Sequence, residues 1–522
     1  MKRTTILLCS TMLSVALCAQ NAYDVSTALG GELNGTARYI GMGGALSALG
    51  GDISAISNNP AALGLFRSSD VSLSASVNVT TNDSKFYGTS MNESLTTVSL
   101  DQLGFVYSQK IGNETSMRYL NWGFNYRKEK NFNRKFSMGG LLEGLSQTKQ
   151  MAQDLVDWGL EADDIAQINN ADNPFTKYWN QYPIMGIMGL RTGLVDNNNG
   201  VVQGWNGYNN NYYARESGGL EHYDLSIGAN INDQFYLGAT LGMANLRYKR
   251  ETSYTENLSD DYNVGNGGYT MQTYYQLKGT GVNLALGAVV RPMENSPFRF
   301  GVSVKTPTWY NMRESFNAAT YTDIKFFGEQ YDQELSDYLN SDYRNYDYHF
   351  NTPWVFNASI GTTFGQSFAV GAEYEYQDFT SAKLKDMDGY ELGDQASLGW
   401  CLKKSHTLRV GGEMRIDAFS LRAGYNYTSP SFSEDAYSAV SLYSIRSEFT
   451  NFKERHTATF GIGFRWDGFY ADMALKYDMQ KADFYPFTAY DEAGGWTLYL
   501  NDTKTTVEYN RALLLFTVGF KF

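Results

Sequence analysis

The side chains best suited to chemistry are few and scattered. His222, His349, His406 and His456 lie far apart, and no His-Glu-x-x-His or Cys-x-x-Cys spacing gathers ligands for a metal. Histidine this sparse offers little to a haem iron. Asp386-Met387-Asp388-Gly389 and the nearby Glu391 present oxygen donors of the kind calcium accepts, but the full loop pattern is missing and a solvated outer turn is the plainer reading. No Ser-His-Asp set follows from spacing. Gly41-Met42-Gly43-Gly44 has the composition of a phosphate loop, yet no strand precedes it and no P-loop lysine follows. The residues therefore predict no catalytic group, no metal and no resident cofactor.

The elements that would carry function are of another kind. Lys2 and Arg3, an apolar run from Ile6 to Leu17, and small or polar residues at Ala19, Gln20 and Asn21 have the layout of a secretory signal peptide, which places residues 1–19 outside the mature fold. That run falls short of the roughly 20 residues a spanning helix needs, and no later segment is longer. With Cys9 and Cys18 assigned to the signal, Cys401 alone remains, which excludes a disulfide framework. A lipoprotein reading of Cys18 is opposed by the bulky Leu17 before it. The formal net charge of −13 argues against nucleic acid, whose phosphates need a basic patch.

No linker divides the 522 residues, so a single large unit is expected. Its 39 Tyr, 30 Phe and 51 Gly accompany a mean hydropathy of −0.39, so the chain is apolar in pattern but not in sum. From about residue 70 onward apolar and polar side chains alternate over segments of roughly ten residues, the length and period of a tilted membrane strand. Leu408, Val410, Met414 and Ile416 share one face while Arg409, Glu413 and Arg415 share the other. Phe469, Ala471, Met473, Leu475 and Tyr477 likewise oppose Asp472, Lys476 and Asp478. Charge on a lipid face costs about 2 to 4 kcal/mol near mid-bilayer, and this segregation avoids it.

The pattern predicts about fourteen strands, at 70–80, 102–111, 118–128, 221–231, 234–250, 276–291, 297–307, 354–364, 367–379, 406–416, 418–428, 457–466, 468–479 and 511–522. Tight turns at Asn232-Asp233, Gly365-Gln366, Asp417 and Asp467-Gly468, and short links at Gly112 to Met117 and Pro292 to Ser296, alternate with long connections at 129–220, 308–353, 380–405, 429–456 and 480–510. An up-and-down transmembrane β-barrel, all-β and antiparallel, predicts this asymmetry, and its even strand number returns both termini to the periplasm; a soluble sandwich does not. Phe516, Val518, Phe520 and Phe522 alternate to the last residue, as in the C-terminal signal read by barrel-assembly machinery during insertion.

Before the first strand, residues 20–69 are rich in small side chains and do not alternate. They contain Gly41-Met42-Gly43-Gly44-Ala45, Gly50-Gly51-Asp52 and Asn59-Pro60-Ala61. On the stretch from Ala37-Arg38 to Ala48, the spacing of Asp52 to Asn59-Pro60-Ala61, the strand number and the terminal Phe, the chain resembles the FadL/TodX-type outer-membrane hydrocarbon and fatty-acid transporters. The resemblance implies a monomeric barrel, 70–522, with residues 20–69 folded into its lumen as a hatch. It implies that Asn59, Pro60 and Ala61 lie beside an inward kink of the wall, and that Gly41, Gly43 and Gly44, with Asp52, let the hatch pack closely. An ordinary turn before strand one is the alternative for Pro60 and its neighbours.

The 129–220 connection carries Leu141, Leu142, Leu145, Met151, Leu155, Trp158 and Leu160 at roughly helical spacing. In such a family these side chains would capture an apolar ligand; packing of the loop on itself is the competing reading. The expectation for the whole chain is passive uptake of hydrophobic small molecules across the outer membrane of a Gram-negative bacterium, with outer-membrane lipid and the hydrophobic ligand as partners. The alternative is a structural or partner-binding barrel, an accessory of secretion or surface attachment.

Overall fold

A computed structural model describes residues 22–178, 181–198, 201–258, 265–293, 296–326, 333–341, 344–365, 367–393, 395–437, 444–489 and 500–522. The expected signal peptide lies outside them. Fourteen wall strands close into one antiparallel barrel. They are β1 (Asp70–Phe86), β2 (Thr89–Lys110), β3 (Met117–Asn131, continued at Arg134–Leu141), β4 (Asn209–Ile231), β5 (Phe235–Asn257) and β6 (Gly265–Val290). There follow β7 (Phe298–Lys305 with Trp309–Phe326), β8 (Arg344–Asn351 with Val355–Phe364), β9 (Phe368–Asp378) and β10 (Lys404–Ile416). The last four are β11 (Phe419–Thr428), β12 (Phe449–Trp466), β13 (Phe469–Tyr485) and β14 (Thr505–Lys521). β1 pairs with β14 from Asp70↔Lys521 to Lys85↔Thr506, which leaves no free sheet edge in the wall.

The alternation puts apolar side chains outside and charged ones within. Leu408, Val410, Phe460, Leu475, Phe516, Val518, Phe520 and Phe522 are exposed, while Arg422, Asp472 and Lys476 are buried. So many large exposed apolar groups form the lipid-facing band of a membrane barrel. No helix among the described residues is long and apolar enough to cross a membrane. The tight turns fall at one end: Asn232 and Asp233 (φ 53° and 56°), Asp417 (φ 52°) and Asp467-Gly468 (φ 46° and 82°) adopt the left-handed backbone that such hairpins need.

At the other end the strands outrun their expected limits. β1 and β2 meet at a two-residue turn, Tyr87-Gly88, instead of a long loop. The expected 308–353 connection is mostly strand, belonging to β7 and β8, and 129–220 shrinks to 142–208 because β3 reaches Leu141 and β4 starts at Asn209. The 429–456 and 480–510 connections shorten likewise, to 429–448 and 486–504. The reason is solvent. Segments such as Asn82-Asp83-Ser84-Lys85 stand beyond the lipid band and are polar on both faces, so they lack the alternation that marks a membrane strand.

Helices α1 (Gln147–Asp157), α2 (Ala162–Asn169), α3 (Pro174–Tyr178) and α4 (Ile184–Arg191) cap this end with two short paired strands, Val195–Asn198 against Val201–Gly204.

Residues 22–69 run inside the barrel from the capped end to the turn end. Tyr23 stacks on Phe432 at 4.8 Å and Asp24 pairs with Arg446 at 2.9 Å, both partners belonging to the long-connection end. Ser69 donates its N–H to the Phe522 carbonyl at 3.0 Å, at the turn end. The wall's two ends, Asp70 and Phe522, thus share a rim as expected, but Ala22 lies at the opposite end. An even strand count constrains only the wall, and the luminal segment crosses the lumen once before it.

Candidate gate between the luminal segment and the wall

Two rows of glycine receive the luminal segment. Gly371 pairs with Gly411 across β9 and β10, and Gly411 with Gly424 across β10 and β11. Without side chains these three positions leave bare backbone, and the turn after the helix Ala37–Gly41 lies directly on it. A Cβ on Gly371 would collide with the Ala45 carbonyl, one on Gly411 with the Met42 carbonyl, and one on Gly424 with the Gly43 N–H. Gly43 itself takes φ 60°, and a Cβ there would sit 2.8 Å from both the Tyr425 nitrogen and the Val410 oxygen. A Cβ on Gly41 would come within 3.2 Å of both Gly461 Cα and Arg422 Cβ.

The second row is Gly228, Gly238 and Gly287, paired in sequence across β4, β5 and β6. Against it lies the 3-10 turn Pro60–Leu65, capped by Asn59, whose side chain accepts from the Ala61 N–H. Added Cβ atoms at Gly238 and Gly287 would overlap Pro60 and the Asn59 side chain, and one at Gly228 would lie 2.7 Å from the Gly64 nitrogen. Asn59 also donates to the carbonyls of Ala288 and Val302, both at 3.3 Å, which are register partners on β6 and β7. Pro60 fits because the first residue of such a turn needs no N–H.

Charged contacts fasten the same segment. Arg38 makes a two-pronged pair with Glu413 at 3.0 and 3.1 Å; Glu413 also accepts from Arg422 at 2.6 Å, and Arg422 from its other side meets Asp472 at 2.5 Å. Asp52 braces the luminal segment internally, accepting from Thr36 at 2.7 Å and from the Ser54 N–H at 2.9 Å. Nearer the cap, Glu32 pairs with Arg511 at 2.8 Å. Burial alone would raise the Glu32 carboxyl, but Arg511 and then Arg455 outweigh it and hold it below its ordinary value. Gly41, Gly43, Gly44, Asp52, Asn59, Pro60 and Ala61 are all on this one luminal segment, pressed to the wall at two places.

Behind the second glycine row the outer surface is hollow. Outward side chains from seven successive strands, among them Phe105 of β2, Trp122 of β3, Leu225 of β4, Leu241 of β5, Leu286 of β6 and Trp354 before the lower part of β8, line one groove of about 740 Å³. The groove lies on the outer face of the strands whose inner face carries the second glycine row. Beside it both β7 and β8 are interrupted, at Pro307 and Pro353. Thr352 repairs part of the ladder by accepting the Thr308 N–H at 2.8 Å. Inside the barrel, a separate cavity of about 180 Å³ below the cap is lined by Lys130, Arg134, Arg455 and Arg511 as well as Glu32 and Glu216. That cavity sets these charged groups beside apolar ones, Leu29, Phe132, Phe379, Leu402 and Phe452 among them.

The loop residues expected to capture a ligand are mostly buried. Leu142, Met151 and Leu155 are fully buried among Met185, Ile187, Met188 and Leu194 of the cap, with Leu145, Trp158 and Leu160 packed against the same cluster, which continues into the wall at Phe136, Met138 and Tyr212; Leu141 is half exposed at the end of β3. The glycines of the wall escaped the sequence reading, although isolated Gly within a strand pattern signals close backbone approach. Phe516, Val518, Phe520 and Phe522 stand on the outer face of β14. Among the described residues no three His, Cys, Asp or Glu side chains gather as metal ligands.

No family model and no curated protein matches the sequence. The structure is similar to that of a Pseudomonas aeruginosa FadL homologue, at 12% identity over 94% of this chain and 100% of that one, with a TM-score of 0.53. It is also similar to a TodX monoaromatic hydrocarbon channel carrying a deltaS2 mutation, at 12% identity over 94% and 100% of the chains, TM-score 0.50. At such identities the likeness concerns architecture, and it extends over nearly the whole length of both chains. This protein has the fold of the FadL-type barrels.

Proposed function

We propose that the chain is a passive outer-membrane channel for hydrophobic small molecules, fatty acids or aromatic hydrocarbons, in which residues 22–69 act as the hatch and solute leaves sideways into the membrane. The observation that carries this reading is the back-to-back arrangement at β4–β6. A glycine-lined wall lies there between the Asn59–Leu65 stretch and an apolar hollow open to lipid. A solute leaving laterally needs thin, side-chain-free wall on the inside and an apolar landing outside, and this site offers both. Residues 41–45 and 59–65 lie directly on the wall's glycine rows, so passage there requires the luminal segment to shift.

The experiment is uptake of a labelled aromatic hydrocarbon by cells displaying the wild type or Asn59→Ala/Pro60→Gly. Altered uptake at equal surface amounts supports gating at this site, and unchanged uptake removes it. The second reading, a partner-binding barrel, is favoured by one feature: among the described residues the cap's apolar groups are largely buried in its packing on the wall. A stoichiometric protein co-purifying in mild detergent would move the balance toward it.

A further inference from the structure

Two histidines on the outer face occupy equivalent places in successive hairpins. His406 stands opposite Tyr376 in the β9–β10 register, and His456 opposite Tyr427 in the β11–β12 register. In both, the ring packs beside that tyrosine at 5.4 Å between centroids. In both, Nδ1 is hydrogen-bonded to the hydroxyl of the tyrosine two residues earlier, Tyr374 at 2.7 Å and Tyr425 at 2.6 Å. The unit Tyr-x-Tyr facing His therefore occurs twice.

Its height in the wall is the same both times. His406 lies ten residues before Ile416, the last of β10, and His456 ten before Trp466, the last of β12. Tyr374 and Tyr425 each come six residues after the first residue of their strand. Ten residues at about 3.4 Å each, tilted by about 40°, rise roughly 25 Å, which is the height of a barrel's apolar band. Below each histidine that band is continuous: Leu408, Val410, Gly412, Met414 and Ile416 on β10, and Ala458, Phe460, Ile462, Phe464 and Trp466 on β12. The pairs thus mark the band's far edge, on the side of the cap.

A phenol facing lipid needs an acceptor for its proton, and Nδ1 provides one. The proton of the neutral ring then resides on Nε2, and protonation keeps it there. Nε2 of neither ring has a hydrogen-bond partner among the described residues. Each unit therefore holds out one N–H at the level where lipid headgroups begin. Lys404 lies two residues further along the same outward face as His406, whereas the corresponding place before His456 falls in a bulge of β12 between Phe452 and Arg455 and carries no lysine.

We infer that these two His–Tyr units bind the phosphate of a phosphorylated lipid of the outer leaflet, with the His406 unit, backed by Lys404, the stronger. A phosphate oxygen accepts both the imidazole N–H and the ammonium, whereas a hydrocarbon solute uses neither. The inference rests on reading the apolar band as membrane-embedded, but not on the gate or on what passes through it.

The test uses the full mature chain folded in detergent, with binding of diphosphorylated lipid A and of the same lipid stripped of phosphate read by native mass spectrometry. The wild type is expected to prefer the phosphorylated form, and His406→Gln/His456→Gln to weaken that form roughly tenfold or more while leaving the stripped lipid unaffected. His406→Gln alone should lose more than His456→Gln. Tyr374→Phe/Tyr425→Phe, which keeps both rings but frees their tautomers, should fall between. Equal affinity of the wild type for the two lipids, or an unchanged double histidine variant, overturns the proposal. So does displacement of the lipid by equimolar inorganic phosphate, which would indicate a free-anion site. Failure of the folded chain to enter vesicles would instead refute the membrane reading, a distinct outcome.

Discussion

Gly411 and Gly424 face each other across β10 and β11, and the backbone of Met42 and Gly43 lies over the pair with no room for a Cβ on either. The obstruction is main chain on both sides, so no rotamer change relieves it. Gly411→Val or Gly424→Val is expected to lift the luminal segment and cost about 1 to 3 kcal/mol by overpacking. Gly412→Ala is the control, because its added methyl would meet nothing nearer than 3.8 Å. Urea unfolding in micelles measures the cost, and proteolysis within residues 37–50 reports the lift.

Glu413 holds two guanidinium groups at once, Arg38 of the luminal segment and Arg422 of the wall. Glu413→Ala should destabilise by roughly 3 to 5 kcal/mol, since it strips a carboxylate from two buried cations. Arg38→Ala leaves Glu413 paired with Arg422, and Arg422 with Asp472, so its effect should be smaller. A double-mutant cycle on 38 and 413 measures the coupling; additive losses would show that the hatch is not held through this pair.

The pairing of Glu32 with Arg511 and Arg455 gives the hatch a pH dependence of definite sign. Its carboxyl is held below the unfolded value, so its stabilisation is present above the ordinary carboxylate range and disappears as pH falls through the folded value. Hydrogen exchange of residues 22–34 should quicken on acidification. In Glu32→Gln the exchange should already be fast at neutral pH and change less.

Burial pushes the Cys401 thiol up to about 12, partly offset by its bond to the Tyr437 carbonyl. The folded protein at pH 8.5 should resist iodoacetamide while the denatured chain reacts, because the thiolate is the nucleophile. Rapid labelling of the folded chain would show that the helix Gln395–Cys401 opens readily.

What the sequence disclosed followed from lipid. The outward rows at Leu408 to Ile416 and Phe516 to Phe522 alternate because one neighbour touches acyl chains and the next the lumen, so strand number and inward charges could be read from pattern alone. The strands' upper halves could not, because water on both faces removes the contrast at Asn82 to Lys85. Asn59-Pro60-Ala61 stood out by composition. Its receiving surface did not, since Gly228, Gly238 and Gly287 are far apart in the chain and become one track only through register. Leu142 and Leu155 were legible as apolar residues at roughly helical spacing, with loop packing and ligand capture both open, because periodicity tells which face is buried and not what buries it; only Leu155 proves to be in a helix.

Selective passage of apolar solutes is measured most directly by the initial uptake of labelled toluene and of a polar solute of similar size. Cells that differ only in carrying this protein serve for both solutes. Faster entry of toluene alone is the predicted result. Equal rates with and without the protein, or equal acceleration of the polar solute, would contradict it.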